Sequence, residues 1–215
     1  MNKIKFIAVV MVLVYLCGCQ PQSNQQSNKS VSQTEATATK TFNFEGSDVR
    51  QAGLGGTDFV LLGAQNQSVH LSDFKGKVVA LVFGYTHCPD VCPTTLLTYA
   101  DAMQQLGEQA KKVQVLFITV DPLRDTPEVM ASYAPAFDPS FIGLTTDTKN
   151  SASLNQVIKQ YKINVRKIVG HSPQNYLIDH STGTYLLDTH GKTMVYESHS
   201  QTATQIAHDI KQLLN

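Results

Sequence analysis

The sequence predicts an α/β fold, a central mixed sheet flanked by helices with an extra N-terminal β-hairpin. Three observations carry this. Two strongly apolar runs, residues 78–83 and 113–120, have the length and β-branched content of strands buried on both faces. The stretches between and after them show the caps and apolar spacing of helices. Near the C-terminus, short strand-like runs separated by turn residues precede one more amphipathic helix.

Each element has a local reason. Residues 58–62 (DFVLL) read as a strand, 63–67 as a turn and 68–71 (SVHL) as a second strand, which is the predicted hairpin. A polar turn over 73–77 leads into the run 78–83, closed by Gly84, the candidate central strand. Residues 93–106 follow as a helix, because Pro93 suits the first helical position and Gly107 the end. The second buried strand covers 113–120. Thr126 is placed to cap the next helix, with Pro127 in its first turn. Residues 141–144 form a short strand, and 151–161 a helix with Leu154, Val157, Ile158 and Tyr161 on one stripe. Residues 176–178 and 185–187 read as strands either side of a turn at 180–183, a terminal hairpin. A strand at 193–196 and a helix at 202–214 close the chain. The sequence shows neither an internal repeat nor a second domain.

Of the 215 residues, 42% are hydrophobic and 16% charged; Lys+Arg and Asp+Glu both total 17, for a net charge of zero. Without a basic excess or stripe, no nucleic-acid partner is expected. Residues 1–18 read as a lipoprotein signal peptide. Lys3 and Lys5 precede an apolar run over 6–16, which falls short of the ~20 residues that span a bilayer. Leu16-Cys17-Gly18-Cys19 is similar to a bacterial lipobox, in which Cys19 becomes the lipidated N-terminus. Residues 20–40 lack aromatics and are rich in Gln, Ser, Asn and Thr, too polar for burial to offset the entropy of ordering. Residues 19–40 are thus expected to be a lipidated, disordered tether holding a domain of residues 41–215 roughly 25 Å off the membrane. The expected location is the cell envelope outside the cytoplasm, lipid-anchored to a membrane facing the periplasm, where thiols meet oxidants.

Four cysteines are too few for a disulfide scaffold, so position carries the meaning. Cys88 and Cys92 lie where a buried strand hands over to a helix, with Cys92 expected at the cap just before Pro93 and Cys88 in the preceding loop. Both sulfurs then approach the positive end of the helix dipole, which favours thiolate. A structural disulfide is the plainer use, but so short a loop removes little unfolded-state entropy. A working pair can cycle between dithiol and disulfide, or hold a soft metal such as Cu(I). Structural zinc would need four ligands, and residues 41–215 hold no second cysteine pair. A two-sulfur metal site needs a further donor, and an imidazole is the expected one.

Seven histidines compete. His70, His199 and His208 lie in ordinary strand or helix-edge settings, His171 in a loop and His190 in a turn. His87 adjoins Cys88, yet adjacent side chains rarely point into one site. His180 ends a buried strand beside a turn, where sites assemble in α/β sheets. That makes it the best placed of the seven, though periodicity alone cannot put it next to Cys88.

The run Gly84-Tyr85-Thr86-His87-Cys88-Pro89-Asp90-Val91-Cys92-Pro93 resembles the signature of the Sco/SenC family of thioredoxin-fold proteins. Two more blocks resemble that family in the same order: Thr119-Val120-Asp121-Pro122-Leu123-Arg124-Asp125-Thr126-Pro127, and Asp179-His180-Ser181 followed by Tyr185-Leu186-Leu187-Asp188. The similarity runs from about residue 55 to the C-terminus. It implies a thioredoxin-like domain and a copper site of Cys88, Cys92 and His180, suited to Cu(I) and open to Cu(II). It implies delivery of copper to the CuA centre of cytochrome c oxidase, with oxidase subunit II and a thioredoxin-like reductant as partners. It also implies thiol–disulfide activity of the Cys88–Cys92 pair. Asp121 and His87 are outlying candidates beside the site; turn chemistry is the simpler role for Asp121, with Asp125 or Thr126 capping the next helix. Many family members are held by an uncleaved membrane helix, and here a lipid on Cys19 is expected to take its place. The alternatives are a thiol–disulfide oxidoreductase or a peroxiredoxin-like protein with incidental copper affinity.

Overall fold

In the computed structural model, which describes residues 41–149, 151–172 and 175–215, ten strands and four α-helices are arranged around one apolar core. The strands are Ser47–Asp48 (β1), Val60–Leu62 (β2), Ser68–His70 (β3), Val78–Gly84 (β4), Val113–Thr119 (β5), Ile142–Leu144 (β6), Val165–Ser172 (β7), Asn175–His180 (β8), Thr184–Leu187 (β9) and Thr193–Glu197 (β10). The helices are Val91–Leu106 (α1), Pro127–Tyr133 (α2), Ala152–Gln160 (α3) and Ala203–Leu214 (α4). The expected signal peptide, Cys19 and the tether lie outside the described residues. Among the described residues, no helix is long and apolar enough to cross a membrane.

Six strands form the main sheet in the order β1-β10-β9-β4-β5-β6. The β4–β5 and β5–β6 pairs are parallel and the other three antiparallel, so the sheet is mixed as expected. Every residue of β4 and β5 is buried, which is why both sequences lack polar alternation. The α1 and α4 helices pack on each other and against β4, while α2 packs against β6. The predicted N-terminal hairpin is present as β2 and β3, a separate antiparallel pair.

Local chemistry sets the helix ends. Thr126 caps α2 through its hydroxyl, which accepts from the Val129 N–H, and Pro127 follows. Thr202 and Gln205 form a reciprocal capping box at the start of α4.

Three expectations need correction. The α1 helix begins at Val91, so Cys92 lies inside its first turn and not at the cap; a proline at the third helical position is tolerated because N–H groups of the first turn have no partner within the helix. The strands either side of the turn at 180–183 do not form a hairpin together. Instead β8 pairs with β7, which the sequence did not suggest, and β9 joins β4 and β10 in the main sheet. His171 is part of β7 and not of a loop. The short β1 was also not foreseen.

Candidate metal centre

The strand–helix junction after β4 places the two sulfurs. The chain leaves β4 at Gly84, where a Cβ would come within 2.8 Å of the Cys92 Sγ and 2.7 Å of the Phe117 ring. Only glycine lets that sulfur pack against the strand end. Thr86 then pins the loop: its N–H and hydroxyl donate to the buried Asp125 carboxylate at 3.1 and 2.5 Å, and the Thr119 hydroxyl donates to the same group at 2.6 Å. The Cys88 N–H donates to the Tyr85 carbonyl at 3.2 Å, turning the loop into α1.

The thiols are inequivalent. Cys88 is half-buried and its sulfur accepts from the Cys92 N–H at 3.5 Å, whereas Cys92 is only 2% exposed. Burial pushes the Cys92 thiol well above its ordinary value, outweighing the Tyr85 backbone N–H that favours its thiolate. The expectation that the helix dipole favours both thiolates therefore fails for Cys92, because desolvation is the larger effect.

The third donor comes from the other hairpin. His180 ends β8, and its Nε2 lies 3.5 Å from the Cys92 Sγ. Its Nδ1–H donates to the Ser181 carbonyl at 2.8 Å, which leaves Nε2 with its lone pair facing the sulfurs. Burial lowers the His180 pKa, keeping the ring neutral, the form that ligates metals. Tyr85 closes the wall: its ring meets the His180 ring edge-on at 5.8 Å, and its hydroxyl accepts the Ile178 N–H at 3.2 Å. The donor atoms of Cys88, Cys92 and His180 all lie within 4.8 Å of one another, the one such group among the described residues. A cleft of about 280 Å³, lined by Pro89, Asp90, Ile168 and Leu177, opens beside them. A larger cavity of about 470 Å³ opens on the other side of His180, lined also by Asn164, Arg166 and Asp179, while one near His190 and Lys75 is lined by none of the three donors.

The remaining candidates fall away from the donors. His87 is exposed, its Nδ1 3.1 Å from the Thr86 hydroxyl. Asp121 is buried and holds Arg124 and the Tyr176 hydroxyl, the latter at 2.7 Å, so it braces the neighbouring hairpin. Asp125 does not cap α2; it anchors the cysteine loop. Asp125, Tyr85, Arg124 and Tyr176 went unnoticed as site residues, since only the tertiary fold brings them to the donors.

Two soft sulfurs and one imidazole nitrogen converging at the end of a thioredoxin-like α/β sheet define a dithiol–imidazole protein suited to a soft ion such as Cu(I). A family model described as SCO1/SenC matches residues 47–215, and the chain belongs to that family. The mitochondrial protein SCO2 homolog of Bos taurus is 39% identical over 133 residues, 61% of this chain and 49% of that protein, so the chain spans about half the length of this relative. The structure of Bradyrhizobium japonicum ScoI with copper bound is 36% identical with a TM-score of 0.67, covering 74% of this chain and 99% of that one. The solution structures of apo Sco1 from Thermus thermophilus are 36% identical with a TM-score of 0.70, covering 80% and 98%.

Proposed function

We propose that this chain binds copper as cargo through Cys88, Cys92 and His180 and delivers it to the CuA centre of cytochrome c oxidase, on oxidase subunit II. The observation that carries the binding step is the convergence of three donor atoms within 4.8 Å, with the imidazole already in the metal-binding tautomer. The copper-bound ScoI, alike in fold and sequence, supports it. Soft sulfur donors favour the closed-shell cuprous ion.

The same thiols carry an associated exchange chemistry. The Cys88 thiolate attacks one sulfur of a target disulfide and expels the other as thiolate. Cys92 then attacks the mixed disulfide, releasing the target as a dithiol and leaving the Cys88–Cys92 disulfide. Two electrons pass to the target, and a thioredoxin-like reductant restores the pair. Oxidation removes both thiolate ligands, so redox state gates metal affinity. Anchoring by a lipid on Cys19, with residues 20–40 as tether, would keep this domain at an envelope membrane, on the strength of the lipobox-like sequence.

Copper titration of the reduced protein tests the binding step. We expect one ion per chain, lost in Cys88→Ser; stoichiometric binding that survives that substitution overturns it. Oxidase assembly in a deletion strain complemented by wild type or His180→Ala tests delivery. The second reading, a thiol–disulfide oxidoreductase with incidental copper affinity, draws on the partly exposed Cys88 beside a buried Cys92. It predicts full oxidase assembly with His180→Ala.

A further inference from the structure

The imidazole of this site sits on a strand that is not hydrogen-bonded into the main sheet. The β7–β8 hairpin is a two-stranded sheet of its own, sharing no ladder with the six-stranded sheet. Both sulfurs belong to the junction of β4 and α1. Apart from the three-residue link from His180 into β9, the position of His180 over Cys92 depends on contacts between the hairpin and the body.

Those contacts centre on Arg124, in the segment between β5 and α2. Its Nε pairs with the buried Asp121 carboxylate, and its Nη1 donates to the Tyr176 carbonyl of β8 at 3.0 Å. The guanidinium carbon lies 3.7 Å from the Tyr176 ring centroid and 5.7 Å from that of Tyr85. The Tyr176 hydroxyl returns to Asp121 at 2.7 Å, closing a ring of charge-assisted bonds. Lys167 of β7 lies 3.5 Å from the Tyr176 ring centroid. Two residues along β8, the Ile178 N–H is held by Tyr85, and two residues further is His180. One planar fork thus grips the backbone and a side chain of the ligand-bearing strand, and stacks near the aromatic ring that walls the ligand. A lysine offers neither the planar fork nor the stacking plane.

We propose that Arg124 is the positioning residue of the metal centre: by fastening β8 to Asp121 it keeps the His180 imidazole at the sulfurs, and without it the dithiol remains but loses its third donor. This rests on the three donors acting as one site.

The test compares Arg124→Gln, Arg124→Lys, His180→Ala and the double variant Arg124→Gln/His180→Ala. In the metal-free reduced protein, NMR reads the His180 Nδ1–H held by Ser181 and the amide protection of β4 and β5. Arg124→Gln is expected to abolish or strongly broaden the imidazole N–H signal while the main-sheet amides stay protected, with Arg124→Lys in between. In competition with a copper chelator, Arg124→Gln should weaken cuprous affinity roughly 10–100-fold. It should match His180→Ala, and the double variant should bind no more weakly than either single one. An unchanged imidazole signal in Arg124→Gln overturns the proposal, as do affinity losses that add in the double variant. Should Arg124→Gln fail to fold, the Arg124→Lys comparison decides by the same two readouts. If the wild type binds no copper, the proposed function fails, and the metal-free spectra still decide the role of Arg124.

Discussion

The Sγ of Cys92 and the Nε2 of His180 lie 3.5 Å apart, joining the first turn of α1 to the last residue of β8. Both sulfurs belong to the donor set, so a Cys88–Cys92 disulfide takes away two of its three donors. Oxidising the pair with a mild thiol oxidant should therefore abolish cuprous binding, and a phosphine reductant should restore it. Copper binding by the fully oxidised protein, at the affinity of the reduced one, would contradict this gating.

Unequal burial predicts unequal reactivity. Cys92 is 2% exposed and its thiol is pushed up by desolvation, whereas Cys88 is partly open to solvent beside the cleft. Alkylation with iodoacetamide at neutral pH should label Cys88 first, by about tenfold or more over Cys92, since only an accessible thiolate reacts. Peptide mass spectrometry after timed quenching reads the order. Equal labelling rates would mean that Cys92 is not shielded as described.

Gly84 should tolerate no side chain. A Cβ there would sit 2.8 Å from the Cys92 Sγ and 2.7 Å from the Phe117 ring, both in the packed core. Gly84→Ala is expected to cost about 1–3 kcal/mol by overpacking, read as a lowered midpoint in urea. It should also disturb copper binding, because the atom displaced is a ligand. A variant with unchanged stability and affinity would show that the junction relaxes freely.

Asp125 receives donors from the Thr86 N–H, the Thr86 hydroxyl and the Thr119 hydroxyl while fully buried. In Asp125→Asn one oxygen becomes an amide that cannot accept, leaving a donor facing a donor. Loss of a hydrogen bond to a buried charge costs about 1.5–3 kcal/mol. The same change frees the loop carrying Cys88, so Cys88 alkylation should accelerate. Destabilisation with no change in that rate would confine Asp125 to a fold-wide role.

The chemistry was legible wherever it rested on short-range signals. A cysteine pair at a strand–helix junction and a histidine at a strand end can be read from spacing, and the structure brings all three together. The hairpin partner of β8 could not be read. The sequence of β7, VRKIVGHS, mixes charges and a glycine without regular alternation, and its apolar Ile168 and Val169 are 47% and 62% exposed. No burial imposed a pattern on it. The braces Asp121–Arg124–Tyr176 and Thr86–Asp125 join distant segments, which periodicity cannot pair. The thiolate expectation failed for Cys92 because a dipole is legible from a helix start, whereas depth of burial is not.

Far from the donors, Glu197 ends β10 at 1% exposure, with Gln201 and the Asp209 carboxyl as its polar neighbours. Asp209 of α4, fully buried, accepts the Glu45 and Gly46 N–H groups at 2.8 Å each and adds its charge beside Glu197. Burial first, then the Asp209 charge, raises Glu197 from 4.5 to about 8, so the folded protein holds it protonated near neutrality. In the unfolded chain the same group ionises at its ordinary value. The folded state thus binds the extra proton between the two values, and stability must fall as pH rises from about 4.5 to about 8, then level off. Glu197→Gln keeps the shape, carries no titrating proton and offers Asp209 an amide N–H. Chemical denaturation from pH 5 to pH 9 should show the wild type losing on the order of a few kcal/mol relative to this variant as pH rises. Parallel pH profiles for the two proteins would mean that Glu197 is ionised in the folded state throughout, and that the carboxyl pair shares no proton.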